Sequence, residues 1–379
     1  MRSTGQADLP EYGEEVHHRQ PPGEAQNWQD SVVLVWWDEV NSVGGFHRLG
    51  HEPNAVGGGK VTCWNYLWAP EGVYKKTGYN ALRDQDLLPN GGYGNGDDTC
   101  RSEYVDSEHV WTIDDPEHET SACLKLVDIS GNVDCFPKSA SIKSFNTAHF
   151  DIPGRVNGWL KVRGHKYEII DAHGIRDHGW GPRDWHSFYS HRWVAGTCGK
   201  DLSFIAVAWH SADETMMSFG WVIRDNVVTF AKDLDVVAYV EIDGATNRGG
   251  HLKWTLVSGE VLDIECTALP IPGVVSYHND NCVVERFCSW TSGGLKGFCD
   301  FETTSNIQKG SRTPKNSALP LSATDSGQID RTAQVTAIRL HSFACLETFD
   351  PSLSTLLVFN SLAPLIVGLV PRKRMAKQG

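Results

Sequence analysis

The stretch of this chain richest in groups that could do chemistry is Arg176-Asp177-His178-Gly179-Trp180-Gly181-Pro182-Arg183-Asp184-Trp185. It sets an imidazole among carboxylates, guanidinium groups and indoles. A histidine beside a carboxylate can be held protonated and act as a general acid with a pKa near working pH. Indole faces stabilise cations without offering a nucleophile that would quench them. Together these groups suit protonation of an alkene or a hydroxyl in a mostly apolar cavity. They suit equally well the binding of a ligand with one polar end. A third use is scaffolding, because Asp–His and Arg–Asp pairs lock bends through hydrogen bonds and Trp180 and Trp185 could belong to a core.

The elements that must position these groups are strands. On an extended strand side chains alternate, so Arg176, His178 and Trp180 share one face and Asp177 takes the other. Gly179 and Gly181 bracket Trp180, and Pro182 stops the ladder. The local expectation is a strand ending in a tight bend at a barrel rim. Residues 31–37 read as a first strand, apolar enough to be buried on both sides. Further β runs fall at 61–67, 158–162, 166–170, 202–209, 219–223, 227–230, 236–242, 252–257 and 261–267, separated by turn clusters. Residues 121–129 and 133–136 read as a hairpin about Ser130-Gly131-Asn132. Only 79–88 looks helical. This spacing predicts an all-β antiparallel barrel or sandwich.

Composition narrows the function. The formal net charge of -13 argues against nucleic acid or an anionic membrane surface as the main partner. The 14 Trp among 379 residues favour an aromatic-lined cavity. The ten cysteines form no CxxC pair, and residues 1–30 are polar with no apolar leader, so the thiols read as mostly free in a cytoplasmic protein. There is no P-loop, dinucleotide fingerprint, GxSxG or HExxH, and the spacing of His178, His186 and His191 matches no common metal site. Neither a cofactor nor a metal is expected. Residues 303–334 shift to Ser, Thr, Lys, Gly and Pro, which reads as a linker. The apolar run 353–370 is interrupted by Asn360, Pro364 and Gly368, and reads as a tail rather than a membrane anchor.

The run Ala148-His149-Phe150-Asp151-Ile152-Pro153-Gly154-Arg155, the hairpin after it and the motif resemble the AttH-like superfamily. That group includes carotenoid 1,2-hydratases (hydroxyneurosporene synthases), kievitone hydratases and fungal pericyclase relatives. The shared core is Asp-His-x-Trp-Gly, here Asp177, His178, Trp180 and Gly181. The resemblance is clear over 145–210 and extends over 31–305. It implies two lipocalin-like antiparallel β-barrel domains with a hydrophobic cavity at or between them. The expected division is a polar arm at 1–30, a first domain at 31–165, a second at 166–305 carrying the motif, and a linker and tail at 306–379.

The same resemblance implies cofactor-free addition or removal of water on a terpenoid, polyene or polycyclic lipophile. His178 then takes the acid/base role, Asp177 orients or charges it, and Trp180 stabilises a developing cation. Arg176 or Arg183 anchors a polar end, and Trp185, His149, Trp209 and His210 line the substrate site. Carotenoid hydratases also use a Tyr and an Asp on a following strand. This chain offers Trp209 and His210 there, with Asp213 beyond, which leaves the proton donor open. A cyclase or pericyclase, and a lipophile-binding protein without a reaction, are the other two readings.

Overall fold

Short β-branched and aromatic runs, cut by Gly, Asn and Asp turns, leave little sequence that favours helix. A computed structural model describes residues 2–4, 13–131, 133–134, 147–211, 216–241, 246–278, 281–306 and 318–320, and among these there is no α-helix. The strands form two sheets.

The first sheet is curled and open. Its order runs Gly72–Ala81, Lys60–Ala69, Val43–Glu52, Trp28–Asp38, His165–Pro182, Ala148–Val162, Thr120–Asp128, Glu108–Asp115 and Cys100–Val105, followed by two short strands. The second closes on itself. Its eight barrel strands run from Phe188–Thr197 round to Leu295–Asn306, and these two pair antiparallel to seal the barrel.

The barrel interior is filled by Phe204, Trp254, Trp290, Phe301 and their neighbours. The outer faces of the two sheets pack against each other instead. Val35, Phe46, Tyr66 and Trp68 of the first meet Trp193, Val207, Trp221 and Phe287 of the second. Each such buried side chain contributes about 1.5–3 kcal/mol relative to exposure, so this seam is a main source of cohesion.

The all-β, lipocalin-like expectation holds, with two corrections. Residues 79–88 are not helical. Tyr79 and Ala81 stay in the ladder opposite Thr62 and Lys60, and Arg83 then ties down a single 3-10 turn through Asp86 and Asp98. The strand Thr120–Asp128 pairs with Glu108–Asp115 and Ala148–Val162; of the expected hairpin partner only 133–134 are described, with Asp134 bridged to Phe150, and the rest lies outside the described residues. The motif strand His165–Pro182 belongs to the first sheet, between Trp28–Asp38 and Ala148–Val162, so the sheets part after Pro182 and not at 165.

Among the described residues seven cysteines are unbonded, five of them buried, while Cys282 is disulfide-bonded. The expected linker beyond 306 and the tail at 353–370 lie outside the described residues except for 318–320. No described helix is long and apolar enough to cross a membrane.

The bend after the motif depends on Gly181, whose φ is +131°. A Cβ there would sit 2.4 Å from the Thr147 amide, which itself donates to the Trp180 carbonyl. Gly181→Ala is therefore expected to cost about 1–3 kcal/mol in urea unfolding, since the conformation is strained for any other residue.

Candidate active site

From Ala172 onward the motif strand is buried or half-buried on both faces, and its alternation sends the two halves of the motif to different places. On the face turned toward the barrel, Asp151, Asp177, Val33, Arg48 and Trp64 stand opposite one another on successive strands. The neighbouring row is His149, Gly179, Ser31, Gly50 and Thr62. Glycine matters at position 50, where a Cβ would lie 3.1 Å from both terminal nitrogens of Arg48. The barrel presents two rows in return: Glu302, Trp193 and Val207, then Thr304, His191 and Trp209.

Between the sheets these rows enclose a cavity of about 80 Å³. Asp177, His149, Arg48, Arg183, His191 and Glu302 supply its polar groups, and Trp64, Trp185, Trp193 and Trp209 its aromatic walls. The bend brings Arg183 and Trp185 in. Asn27 holds Arg183 through a backbone hydrogen bond, and the Asn281 amide donates to the Trp185 carbonyl across the seam.

His149 Nε2 donates to Asp177 Oδ2 at 2.7 Å and lies 3.7 Å from Asp151 Oδ1. Burial alone would push the Asp177 carboxyl up, but His149, Arg183 and Arg48 outweigh it and hold the group below its ordinary value. Across the cavity Glu302 Oε1 is 3.3 Å from His191 Nε2, and the Thr304 hydroxyl donates to the same oxygen. Burial, reinforced by the Asp177 charge, raises Glu302 to about 7. The His191 imidazole is pushed down to about 3 by burial and by nearby cations, so it is neutral at pH 7. Two carboxyl groups driven in opposite directions thus line one small cavity, an arrangement that separates an acid from a base.

Behind Glu302 lie two more carboxyls, Asp300 and Glu285, both fully buried and both raised, first by desolvation and then by their acidic neighbours. Their titration has a sign. A carboxyl raised by folding holds its proton where the unfolded chain has lost it, so stability falls as pH climbs from about 4.5 through the folded pKa. The imidazoles of His17, His47 and His191 are lowered to about 4, 3 and 3, chiefly by burial. They act oppositely, and their contribution is complete once pH exceeds about 6.5. Above that point the raised carboxyls act together with the buried thiols of Cys63, Cys100 and Cys299, whose raised values work in the same direction above about pH 8.5. The thermal midpoint should therefore decline from about pH 7 to about pH 9, and Asp300→Asn should flatten the decline in a calorimetric series.

The residues singled out in the sequence divide sharply. Asp177, His149, Arg183, Trp185 and Trp209 meet at the cavity. His178 does not. It points to the concave side of the first sheet, where Nδ1 donates to the Val16 carbonyl at 2.7 Å and Nε2 lies 2.9 Å from Asp30 Oδ1 and 3.1 Å from the Tyr93 hydroxyl. Arg176 is on that side too, bonded through two nitrogens to Asp128, and Trp180 stacks on Phe150 among Val16, Ala148 and Ile152. His210 alternates away from Trp209 and meets Tyr189 edge-on.

The sequence does not single out Arg48, Trp64, Trp193 or Glu302, and it brings up His191 only in the spacing that matches no metal site. Their one signal is a charge in the middle of a strand otherwise built for burial on both faces, as in Val43–Glu52 and Leu295–Asn306.

Among the described residues three clusters have metal-ligand types in reach of one another, one of them Asp115, Glu117 and His118. His149, Asp151 and Asp177 place ligand atoms within 4.8 Å, as do His17, His109 and Asp128. In the last of these the Arg176 guanidinium already takes the Asp128 carboxylate.

A family model described as "Domain of unknown function (DUF7064)" matches residues 13–307. The chain belongs to this family. No curated protein matches its sequence. Among solved structures it is similar to kievitone hydratase from Nectria haematococca, at 11% identity and a TM-score of 0.57, with 80% of this chain and 96% of that one covered. A protein described as AttH from Nitrosomonas europaea aligns at 9% identity and TM-score 0.57, over 79% and 98% of the two chains. CghA with Sch210972 aligns at 11% and 0.55, over 74% and 89%. At these identities the likeness is one of fold, and it agrees with the AttH-like resemblance carried by the motif.

Proposed function

We propose that this member of the DUF7064 family is an enzyme that moves a proton to or from a lipophilic small molecule in the cavity between its sheets, adding or removing water at a carbon–carbon double bond. The observation that carries this reading is the pairing of a raised Glu302 with a lowered Asp177 across one aromatic-lined cavity. Glu302 is the proton donor, since it keeps its proton near neutrality yet is 16% exposed toward the cavity. Asp177, oriented by His149, is the complementary base. Trp64, Trp185, Trp193 and Trp209 stabilise positive charge as it develops on the substrate. His178 and Trp180, given the catalytic role by resemblance, become supports of the motif strand. The similar fold of kievitone hydratase supports the choice of reaction class.

The four indole walls also favour a second reading, in which the cavity folds a polyene for cyclisation and shape does most of the work. Mass spectrometry of apolar extracts incubated with the wild type and with Glu302→Gln separates the readings. A product differing from its precursor by one water, formed only by the wild type, is the expected result. An isomeric product formed by both proteins would mean cyclisation, and a ligand retained unchanged by both would mean a carrier.

A further inference from the structure

We propose that Arg48 is an oxyanion anchor, so that the ligand of this cavity carries a carboxylate-like group at one end of an apolar body. The inference rests on the reading of the cavity as a substrate site and specifies the substrate's chemical class.

Arg48 is 6% exposed, and its Nη1 is buried without a hydrogen-bond partner. Among the described residues no carboxylate reaches ion-pair distance of its guanidinium. Asp177 is engaged by His149 at 2.7 Å, and Glu302 by Thr304. The guanidinium carbon of Arg48 lies over the face of Trp64, 4.6 Å from the ring centroid. A cation–π contact offsets only part of the cost of desolvating a full charge, which is why buried arginines are otherwise paired.

Arg48 nevertheless stands in the middle of the cavity row and lines the cavity, its terminal nitrogens lying over Gly50 beside the Gln29 amide. A planar oxyanion meets a guanidinium fork through two parallel hydrogen bonds, a geometry that an alcohol or ketone cannot complete. The cavity's size of about 80 Å³ suits such a head group. The indoles of Trp185 and Trp209 would then flank the apolar body.

The test uses 1-naphthoate and its neutral counterpart 1-naphthalenemethanol, titrated into the full chain by calorimetry. The wild type should bind the carboxylate at least about tenfold tighter, as expected for a charge-assisted pair. Arg48→Met should lose that preference while still binding the neutral probe, which also reports that the variant is folded. Its ligand-free thermal midpoint should rise by about 2 °C or more, because an unpaired buried charge has been replaced by an apolar side chain of similar length. A structural arginine would lower the midpoint when removed. Equal affinity for both probes in the wild type, or an unchanged preference in Arg48→Met, would overturn the anchor and leave the cavity assignment standing. Failure of the wild type to bind either probe would overturn the cavity assignment, and the anchor with it.

Discussion

Glu302→Gln is expected to lower turnover by about 10²–10⁴-fold, the usual contribution of a positioned general acid, while ligand affinity stays near that of the wild type. The substitution keeps the size of the side chain and leaves an amide oxygen to accept from Thr304, but it removes the transferable proton. The pH profile supplies a second signature. Only the protonated carboxyl can donate, so wild-type kcat/KM should fall as pH rises through about 7, where burial has placed this group. That limb should vanish from whatever activity Glu302→Gln retains. Steady-state kinetics with the substrate identified from extracts would check both points. Loss of affinity with turnover intact would assign Glu302 to binding rather than to proton transfer.

His178→Ala is expected to damage the fold. Removing the imidazole leaves the Val16 carbonyl without its donor and takes one partner from the buried Asp30 carboxylate, which also accepts from Tyr93 and from the Gln20 amide. Stripping a partner from a buried charged group costs about 3 kcal/mol or more, and the vacated volume adds a cavity term. Against a typical total of about 5–15 kcal/mol this is a large loss. Urea unfolding at neutral pH should show it directly, with the N-terminal segment Glu14–His17 released from the concave face as the local consequence. A variant as stable as the wild type but without turnover would return His178 to the chemistry.

The contrast between these two residues shows what the sequence could and could not convey. Five residues named from the motif or its surroundings meet at the cavity, and the bend at Gly181 and Pro182 is where the pattern placed it. Alternation correctly set His178 and Asp177 on opposite faces. It could not say which face meets the cavity, because from Ala172 onward both faces of this strand are buried or half-buried and polarity marks neither as outward. Local resemblance therefore favoured the imidazole, while the sheet-to-sheet packing selected the carboxylate.

Arg48 and Glu302 were harder to see for a different reason. Each is a single charge in an apolar strand, far from the motif in sequence. Arg48 reaches the site through three ladder registers across the first sheet, and Glu302 through the pairing of Trp193 that closes the barrel. The helical reading of 79–88 failed at the same level, since pairing with Lys60–Ala69 overrode a local pattern.

The central claim is that the cavity holds a carboxyl group protonated near neutral pH, and that this group is Glu302. Infrared titration of the ligand-free protein tests it without a substrate, by following the carbonyl band of protonated carboxyls from about pH 5 to about pH 9 in the wild type and in Glu302→Gln. Asp300 and Glu285 contribute to both spectra and are themselves raised in part by Glu302, so the same comparison is repeated in an Asp300→Asn background to separate their bands from that of Glu302. The predicted result is a band in the wild type that disappears with a midpoint of about 7 and is missing from the variant. Identical spectra through this range, with Glu302 already ionised at the pH of an ordinary carboxylate, would contradict the account.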